Sequence, residues 1–103
     1  MSIAHLNKTN FDASISTGVV FVDFYADWCG PCKIMSPILE ELATEMTDVK
    51  FVKVDVDANS ELASEYSVFS IPTFLIFKDG KVASQFVGAM GKEGFLREIE
   101  KVK

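Results

Sequence analysis

The sequence predicts an α/β protein in which a central mixed β-sheet is flanked by helices on both faces. Strand-like apolar segments alternate with helix-like segments through the first two thirds of the chain, which is typical of strands joined by crossover helices. Residues 19–26, VVFVDFYA, are apolar on both faces apart from one Asp, as in a central strand covered on both sides. The pair Asp79–Gly80 suits a tight turn, so the last two strands form an antiparallel hairpin and the sheet is mixed.

The chain begins with a short apolar strand at residues 3–6. Thr9 followed by Asp12 indicates the capped start of a brief helix that runs through Ser16 and ends at Gly18. The central strand comes next, and its β-branched and aromatic residues favour an extended backbone.

A long amphipathic helix is predicted after the chain's two cysteines. Its apolar residues recur three and four positions apart, the spacing that places side chains on one helix face. Pro37 lies inside this helix and lacks a backbone N–H, so we expect a kink one turn after Cys32. The apolar positions are Met35, Ile38, Leu39, Leu42, Ala43 and Met46.

A further strand and a short helix follow. Residues 49–56, VKFVKVDV, form the strand, and either Asn59 or Ser60 caps the helix. The helix carries the apolar residues Leu62, Ala63 and Tyr66. With the segments before them, these elements give the order β-α-β-α-β-α.

The C-terminal part consists of the hairpin and an amphipathic helix. Strands at residues 73–78 and 82–87 flank the Asp-Gly turn. The helix starts at Lys92 and contains Gly94, a weak helix former, near its start. Its apolar face consists of Phe95, Leu96, Ile99 and Val102.

Length and composition restrict the function. A chain of 103 residues and 11.4 kDa makes one domain, residues 1–103, with 49% apolar residues for its core. The net charge of −5 disfavours nucleic acids and anionic membranes as partners. No apolar run approaches the ~20 residues of a membrane span, and the first residues lack the apolar core of a secretory signal. We therefore expect an intracellular protein without a membrane segment.

The two cysteines, Cys29 and Cys32, are separated by two residues. A bridge between them closes almost no loop, so it adds little stability and its use is chemical. Residues three apart lie on the same side of an opening helical turn, which brings the sulfurs near bonding distance. The sequence therefore predicts a reversible disulfide.

The two thiols have different predicted roles. Unpaired amides and the positive dipole end of the first helical turn favour a thiolate at Cys29, which makes it the nucleophile. Cys32 lies one turn farther in and is expected to be less exposed, which suits a resolving thiol. The competing interpretations are an incidental buried pair and half of a zinc site, for which the chain adds only His5 as a further Cys or His ligand. We therefore predict no bound metal.

Around WCGPCK, residues 28–33, the sequence resembles the thioredoxin family. The resemblance implies the thioredoxin fold and cytosolic reduction of protein disulfides by dithiol–disulfide exchange. It also implies that no cofactor is bound and that a thioredoxin reductase returns the electrons. The resembling segments cover nearly the whole chain: VDFYADWCGPCK (22–33), Pro37, FVKVDVD (51–57), SIPTF (70–74), FKDG (77–80) and VGA (87–89).

Besides the reductase, the implied partners are proteins with reducible disulfides, of the ribonucleotide reductase, peroxiredoxin or methionine sulfoxide reductase type. Two other functions stay open. An oxidant or isomerase is disfavoured because Gly30 and Pro31 stand where those related families have a histidine. A thioredoxin-like binding module with dispensable thiols is the other alternative.

A carboxylate is expected behind the cysteines. Asp23 lies in the apolar central strand, where burial raises a carboxyl pKa. The strand alone favours an Asp that is satisfied near a strand end, whereas the resemblance implies that Asp23 assists proton transfer at Cys32. Lys53 matches a family lysine that modulates this Asp, with a solvated strand lysine as the alternative.

The resemblance further implies a substrate-docking surface beside Cys29. The Ile71–Pro72 peptide bond is cis in the family, although most X–Pro bonds are trans. Pro72 would shape a shallow apolar groove that receives an extended substrate segment. The surface would consist of Trp28, Gly30, Pro31, Ile71, Pro72, Thr73, Val87, Gly88 and Ala89.

The sequence departs from the family pattern at a few positions. Tyr25 stands where Trp is frequent, and Phe69 and Ser70 replace commoner small or basic residues. Gly94 weakens the last helix. Phe69 either enlarges the apolar docking surface or packs inward, so substrate preference depends on its orientation.

Overall fold

The computed structural model describes residues 3–103, which form five strands and four α-helices. The strands make one sheet in the order β1-β3-β2-β4-β5. In chain order the elements are β1 (Ala4–His5), α1 (Phe11–Ser14), β2 (Val19–Tyr25), α2 (Gly30–Glu45), β3 (Val49–Asp55), α3 (Ser60–Glu65), β4 (Thr73–Lys78), β5 (Lys81–Val87) and α4 (Lys92–Val102).

The central strand β2 is hydrogen-bonded on both sides. It pairs in parallel with β3 and antiparallel with β4, and β4 and β5 form the predicted hairpin. In this register Asp23 lies opposite Lys53 of β3 and Phe74 of β4. The predicted mixed sheet is confirmed.

Each face of the sheet has its own apolar core, so the prediction of helices on both faces is also confirmed. Val20, Val22 and Phe24 of β2 face the core under α1 and α3. Phe21 faces the core under α2 and α4. Since side chains alternate along a strand, Asp23 lies on the Phe21 side, toward α2. The rings of Phe51, Phe74, Phe86 and Phe95 surround Phe21.

The first helix is shorter than predicted and begins differently. It starts at Phe11 and ends before Ser16, the predicted last residue. The Asn7 side chain accepts hydrogen bonds from the backbone N–H groups of Thr9, at 2.9 Å, and Asn10, at 3.2 Å. These bonds make a side-chain turn that includes Thr9 before the helix starts, so the predicted cap is wrong.

Other boundaries differ from the prediction by a residue or two. The central strand ends at Tyr25, and α2 begins directly after Cys29, which is its N-cap. Asn59 precedes α3, as predicted, but it makes no side-chain capping hydrogen bond; its amide donates to the Asp55 carbonyl at 3.1 Å. The kink at Pro37 stays a prediction.

The C-terminal elements agree closely with the sequence. Asp79 and Gly80 have φ values of +50° and +87°, the positive values that a tight hairpin turn requires. The last helix starts at Lys92 and continues through Gly94. Within residues 3–103, none of the helices combines the length and apolar character needed to cross a bilayer.

Candidate active site

The two cysteines lie where the chain passes from the end of β2 into α2. They form a disulfide, and their Cα atoms are 5.3 Å apart. Cys29 is the N-cap of the helix, with an extended backbone at φ −85° and ψ +109°. The backbone N–H of Cys32 donates to the Cys29 sulfur at 3.1 Å. A sulfur in this position accepts a backbone N–H at the positive end of the helix dipole, an environment that favours a thiolate over a thiol.

The sequence predicted that Cys32 is less exposed than Cys29, and this prediction is wrong for the disulfide form. Cys29 is 4% exposed and Cys32 is 5% exposed. The bond holds both residues in one apolar cluster, where Ala26 is buried with them and Tyr25, Val56 and Ile71 pack against it. What separates the two cysteines is their position on the helix, since Cys29 precedes the first turn and Cys32 lies within it.

Asp23 is buried on the α2 side of the central strand and is only 2% exposed. Its Oδ1 atom has no hydrogen-bond partner among residues 3–103. Burial raises the pKa of this carboxyl from 3.8 to about 7, although the positive charge of Lys53 acts in the opposite direction. The raised pKa agrees with the expectation from the strand sequence, and the fully satisfied Asp is not observed.

Lys53 is held between two side chains instead of extending freely into solvent. Its ammonium donates to the Ser36 hydroxyl at 3.2 Å and lies 4.8 Å from the centre of the Tyr25 ring. The Tyr25 hydroxyl is hydrogen-bonded to Nδ1 of His5 at 3.0 Å. These contacts join β1, β2, β3 and α2 around the positive charge that influences Asp23.

A surface cavity lies beside Cys32 and Lys53, and both residues line it. The Ser36 hydroxyl, which accepts a hydrogen bond from Lys53, belongs to the same lining. The lining residues are Tyr25, Ala26, Asp27, Cys32, Lys33, Ser36 and Lys53.

Trp28 lies on the outer surface next to the disulfide. The residue is 68% exposed, and its indole N–H donates to the Asp57 carboxylate at 2.8 Å. This bond fixes the orientation of a large aromatic surface beside Cys29. Gly30 and Pro31, which open the helix, are exposed as well.

The loop before β4 faces the same region. The Ile71–Pro72 bond is cis, as the family resemblance implies. Gly88 donates its backbone N–H to the Pro72 carbonyl at 3.0 Å and has a φ of +102°, which favours glycine. Val87 and Ala89, on either side of Gly88, are exposed.

The fold buries two members of the predicted docking surface, Pro72 and Thr73. The Thr73 hydroxyl donates to the Ser70 carbonyl and is therefore already paired. This part of the surface stays a prediction.

Several site residues were not identified from the sequence. Ser36 could have been found, because it lies four residues after Cys32 and hence on the same helix face. Asp57 carries no comparable signal, since its contact with Trp28 depends on how β3 ends beside β2. Within residues 3–103, no group of three or more His, Cys, Asp or Glu residues could hold a metal ion.

Comparisons with known proteins agree with this geometry. The family model described as Thioredoxin matches residues 2–101. The thioredoxin of Bacillus subtilis is 49% identical over 102 residues, covering 98% of both chains, and that of Chlamydia trachomatis is 46% identical over 96 residues, covering 93% of this chain and 94% of the relative. The X-ray structure of Fasciola hepatica thioredoxin superimposes with a TM-score of 0.92 at 40% identity, covering 98% of this chain and all of that one.

Proposed function

The chain belongs to the thioredoxin family and is a protein-disulfide reductase, and we propose that Cys29 is its attacking thiolate and Cys32 its resolving thiol. The observation that supports these roles is the hydrogen bond from the Cys32 N–H to the Cys29 sulfur at the start of α2. A charged sulfur gains more from this donor and from the helix dipole than a neutral thiol does.

The reaction consists of two thiol–disulfide exchanges. The Cys29 thiolate attacks one sulfur of a substrate disulfide, which forms a mixed disulfide and releases the other substrate sulfur as a thiolate. Cys32 then loses its proton and attacks the Cys29 sulfur, which releases the second substrate thiolate and forms the Cys29–Cys32 bond. Two electrons pass from the enzyme to the substrate, and the released thiolates take up protons.

Asp23 is the proposed acceptor of the Cys32 proton. It is buried on the α2 side of β2, the strand that leads to the cysteines, and a carboxyl with a pKa of about 7 exchanges protons readily near neutral pH. Lys53 modulates this pKa through its charge, and Ser36 and Tyr25 hold Lys53 in place. Because the two thiols carry both electrons, the reaction needs no bound cofactor.

The docking surface is proposed to receive an extended segment of the substrate. Trp28 and the exposed start of α2 form one side, and the loop of Ile71, Pro72 and Thr73 forms the other. The segment 87–89, in which Val87 and Ala89 are exposed, continues the second side, because the Gly88 N–H is hydrogen-bonded to the Pro72 carbonyl. Gly30 and Pro31 do not obstruct the approach of a substrate to Cys29, since neither has a long side chain.

The biological setting follows from the family and is likewise proposed. A thioredoxin reductase supplies the electrons, and the oxidised partners are of the ribonucleotide reductase, peroxiredoxin or methionine sulfoxide reductase type. We place the protein in the cytoplasm as a monomeric, single-domain electron carrier. Its use is to keep the disulfides of other proteins reduced.

Reduction of insulin disulfides tests the proposed function. Wild-type protein with dithiothreitol as electron source is expected to speed the precipitation of the free insulin B chain, which is followed by turbidity. The Cys29→Ser variant is expected to act no faster than dithiothreitol alone. Equal activity of wild type and variant would show that Cys29 is not the nucleophile.

A further inference from the structure

Phe69 is a large apolar side chain that the fold leaves in solvent. It is 85% exposed and lies in the loop between α3 and β4. Among residues 3–103 it belongs to none of the apolar clusters. Of the two orientations that the sequence allowed, the structure therefore shows the outward one.

The backbone around Phe69 is anchored on both sides. Val68 is buried in the core under α1 and α3, and its N–H donates to the Ala63 carbonyl at 2.8 Å. On the other side, the Ser70 carbonyl accepts a hydrogen bond from Thr73. An anchored backbone loses little conformational entropy on binding, which favours a preformed contact surface.

An open apolar groove connects Phe69 with the disulfide. Two of its residues, Val56 and Ile71, also pack against the cluster that contains the two cysteines. Trp28, whose ring is held by Asp57, forms the end of the groove nearest Cys29. The full lining is Trp28, Val56, Val68, Phe69, Ser70 and Ile71.

We propose that this groove takes a large apolar side chain, preferably aromatic, from the protein substrate, and that Phe69 determines this preference. The inference rests on the proposed function, because it assigns a substrate class to the same site. The occupant is a residue near the reacting cysteine in the substrate's sequence, and it lies between Phe69 and Trp28 when the substrate sulfur reaches Cys29.

The reason is geometric and energetic. Bond formation at Cys29 requires the substrate sulfur at that position, so the substrate residues beside it must lie over the adjoining surface. An aromatic side chain there removes its own apolar surface and part of Phe69 from water, and it gains contacts between rings. A small polar side chain gains neither the burial of apolar surface nor the contacts between rings. Asp57, at the Trp28 end, makes an acidic residue unfavourable by charge repulsion.

Two peptide disulfides test the inference. Each is a symmetric disulfide-linked dimer of a short peptide, and the two peptides differ only in having Phe or Ser next to the cysteine. The pre-reduced protein is mixed with each dimer, the reaction is quenched with acid, and released peptide is quantified by chromatography. The quantity compared is the ratio of the second-order rate constants for the Phe and Ser peptides.

Wild type is expected to favour the Phe peptide by roughly fivefold, a value within the range for an aromatic contact. Phe69→Ser is expected to bring the ratio close to one, whereas Phe69→Tyr retains the ring and the preference. The matched control is Val82→Ser, because Val82 is also an exposed apolar residue, at 47%, but lies at the far end of β5. This control is expected to keep the wild-type ratio.

Bis(2-hydroxyethyl) disulfide, which has no side chain to place in the groove, distinguishes a failure of the inference about Phe69 from a failure of the proposed reductase function. Val82→Ser is expected to reduce it at the wild-type rate. If wild type reduces all three disulfides without preferring the Phe peptide, or if Phe69→Ser keeps the preference, the inference about Phe69 is wrong and the reductase function stands. If wild type reduces none of them, the proposed function and the inference both fail.

Discussion

Replacing Asp23 by Asn removes a buried carboxyl whose pKa is raised to about 7. The folded protein holds the proton of this carboxyl up to a pKa of about 7, whereas the reference value for an Asp is 3.8. The folded state thus binds the proton more tightly than the unfolded state does. The resulting stabilisation is complete below pH 3.8 and is lost as the pH rises through about 7.

The size of this loss follows from the shift in pKa. The difference between 3.8 and about 7 is roughly three units, and each unit corresponds to about 1.36 kcal/mol, so the loss is about 4 kcal/mol. The Asn side chain does not ionise, so the variant does not lose this part of the free energy of unfolding as the pH rises. We therefore expect the free energy of unfolding of Asp23→Asn, relative to wild type, to increase by about 4 kcal/mol between pH 4 and pH 8.

Guanidinium unfolding of the oxidised protein at pH 4, 6 and 8 measures this difference. The oxidised form is used because a disulfide removes the titration of the two thiols. Asp12→Asn is the matched control, since Asp12 is exposed in α1, and its unfolding curve is expected to follow wild type at each pH. Parallel pH dependences of wild type and Asp23→Asn would refute the reasoning, because they would mean that Asp23 does not change its protonation on folding.

Three further predictions concern the thiols and their surroundings. Cys32→Ser is expected to accumulate mixed disulfides with substrate, detected by mass spectrometry, and Cys29→Ser is not; the opposite pattern would exchange their roles. Reduction is expected to increase the emission of Trp28, because a disulfide next to an indole quenches it. When the redox potential is stepped with dithiothreitol or glutathione buffers, the Trp28 emission is expected to show a two-electron transition. The midpoint potential of this transition is expected to lie below that of the glutathione couple. A midpoint above that couple would favour the oxidant or isomerase, and a flat trace, like that of a variant without cysteines, would favour the binding module. Lys53→Gln removes the charge that lowers the pKa of Asp23, so a carboxyl carbon NMR titration is expected to give a value above about 7; an unchanged or lower value would contradict the proposed role of Lys53.

The functional centre could be read from the sequence because its parts are local or periodic. The cysteines are three residues apart, so a helical turn is enough to bring their sulfurs together. The strand around Asp23 is apolar, which predicted a raised pKa for a buried carboxyl, although the strand alone favoured an Asp that is satisfied near a strand end. The hairpin depended on Asp79 and Gly80, whose turn preference is a property of their own backbones.

The first helix shows where local patterns fail. Thr9 and Asp12 have the spacing of a helix start, but Asn7 offers a competing side-chain turn that takes the Thr9 backbone N–H, the group that Asp12 would bond in a capping box. The choice between two such local hydrogen-bond patterns depends on small free-energy differences that the residue types alone do not decide. Phe11, which is fully buried, sets the actual start of the helix.

By itself, the sequence determined the order of the elements and the redox pair, because both depend on neighbours in the chain. Only the tertiary structure decided that Lys53 lies between Ser36 and Tyr25, since these residues come from three different elements. It also decided the orientation of Phe69, because a loop has no periodicity from which the direction of a side chain could be inferred. Contacts between distant segments exist only once the strands have paired, and the surroundings of Lys53 and Phe69 depend on them.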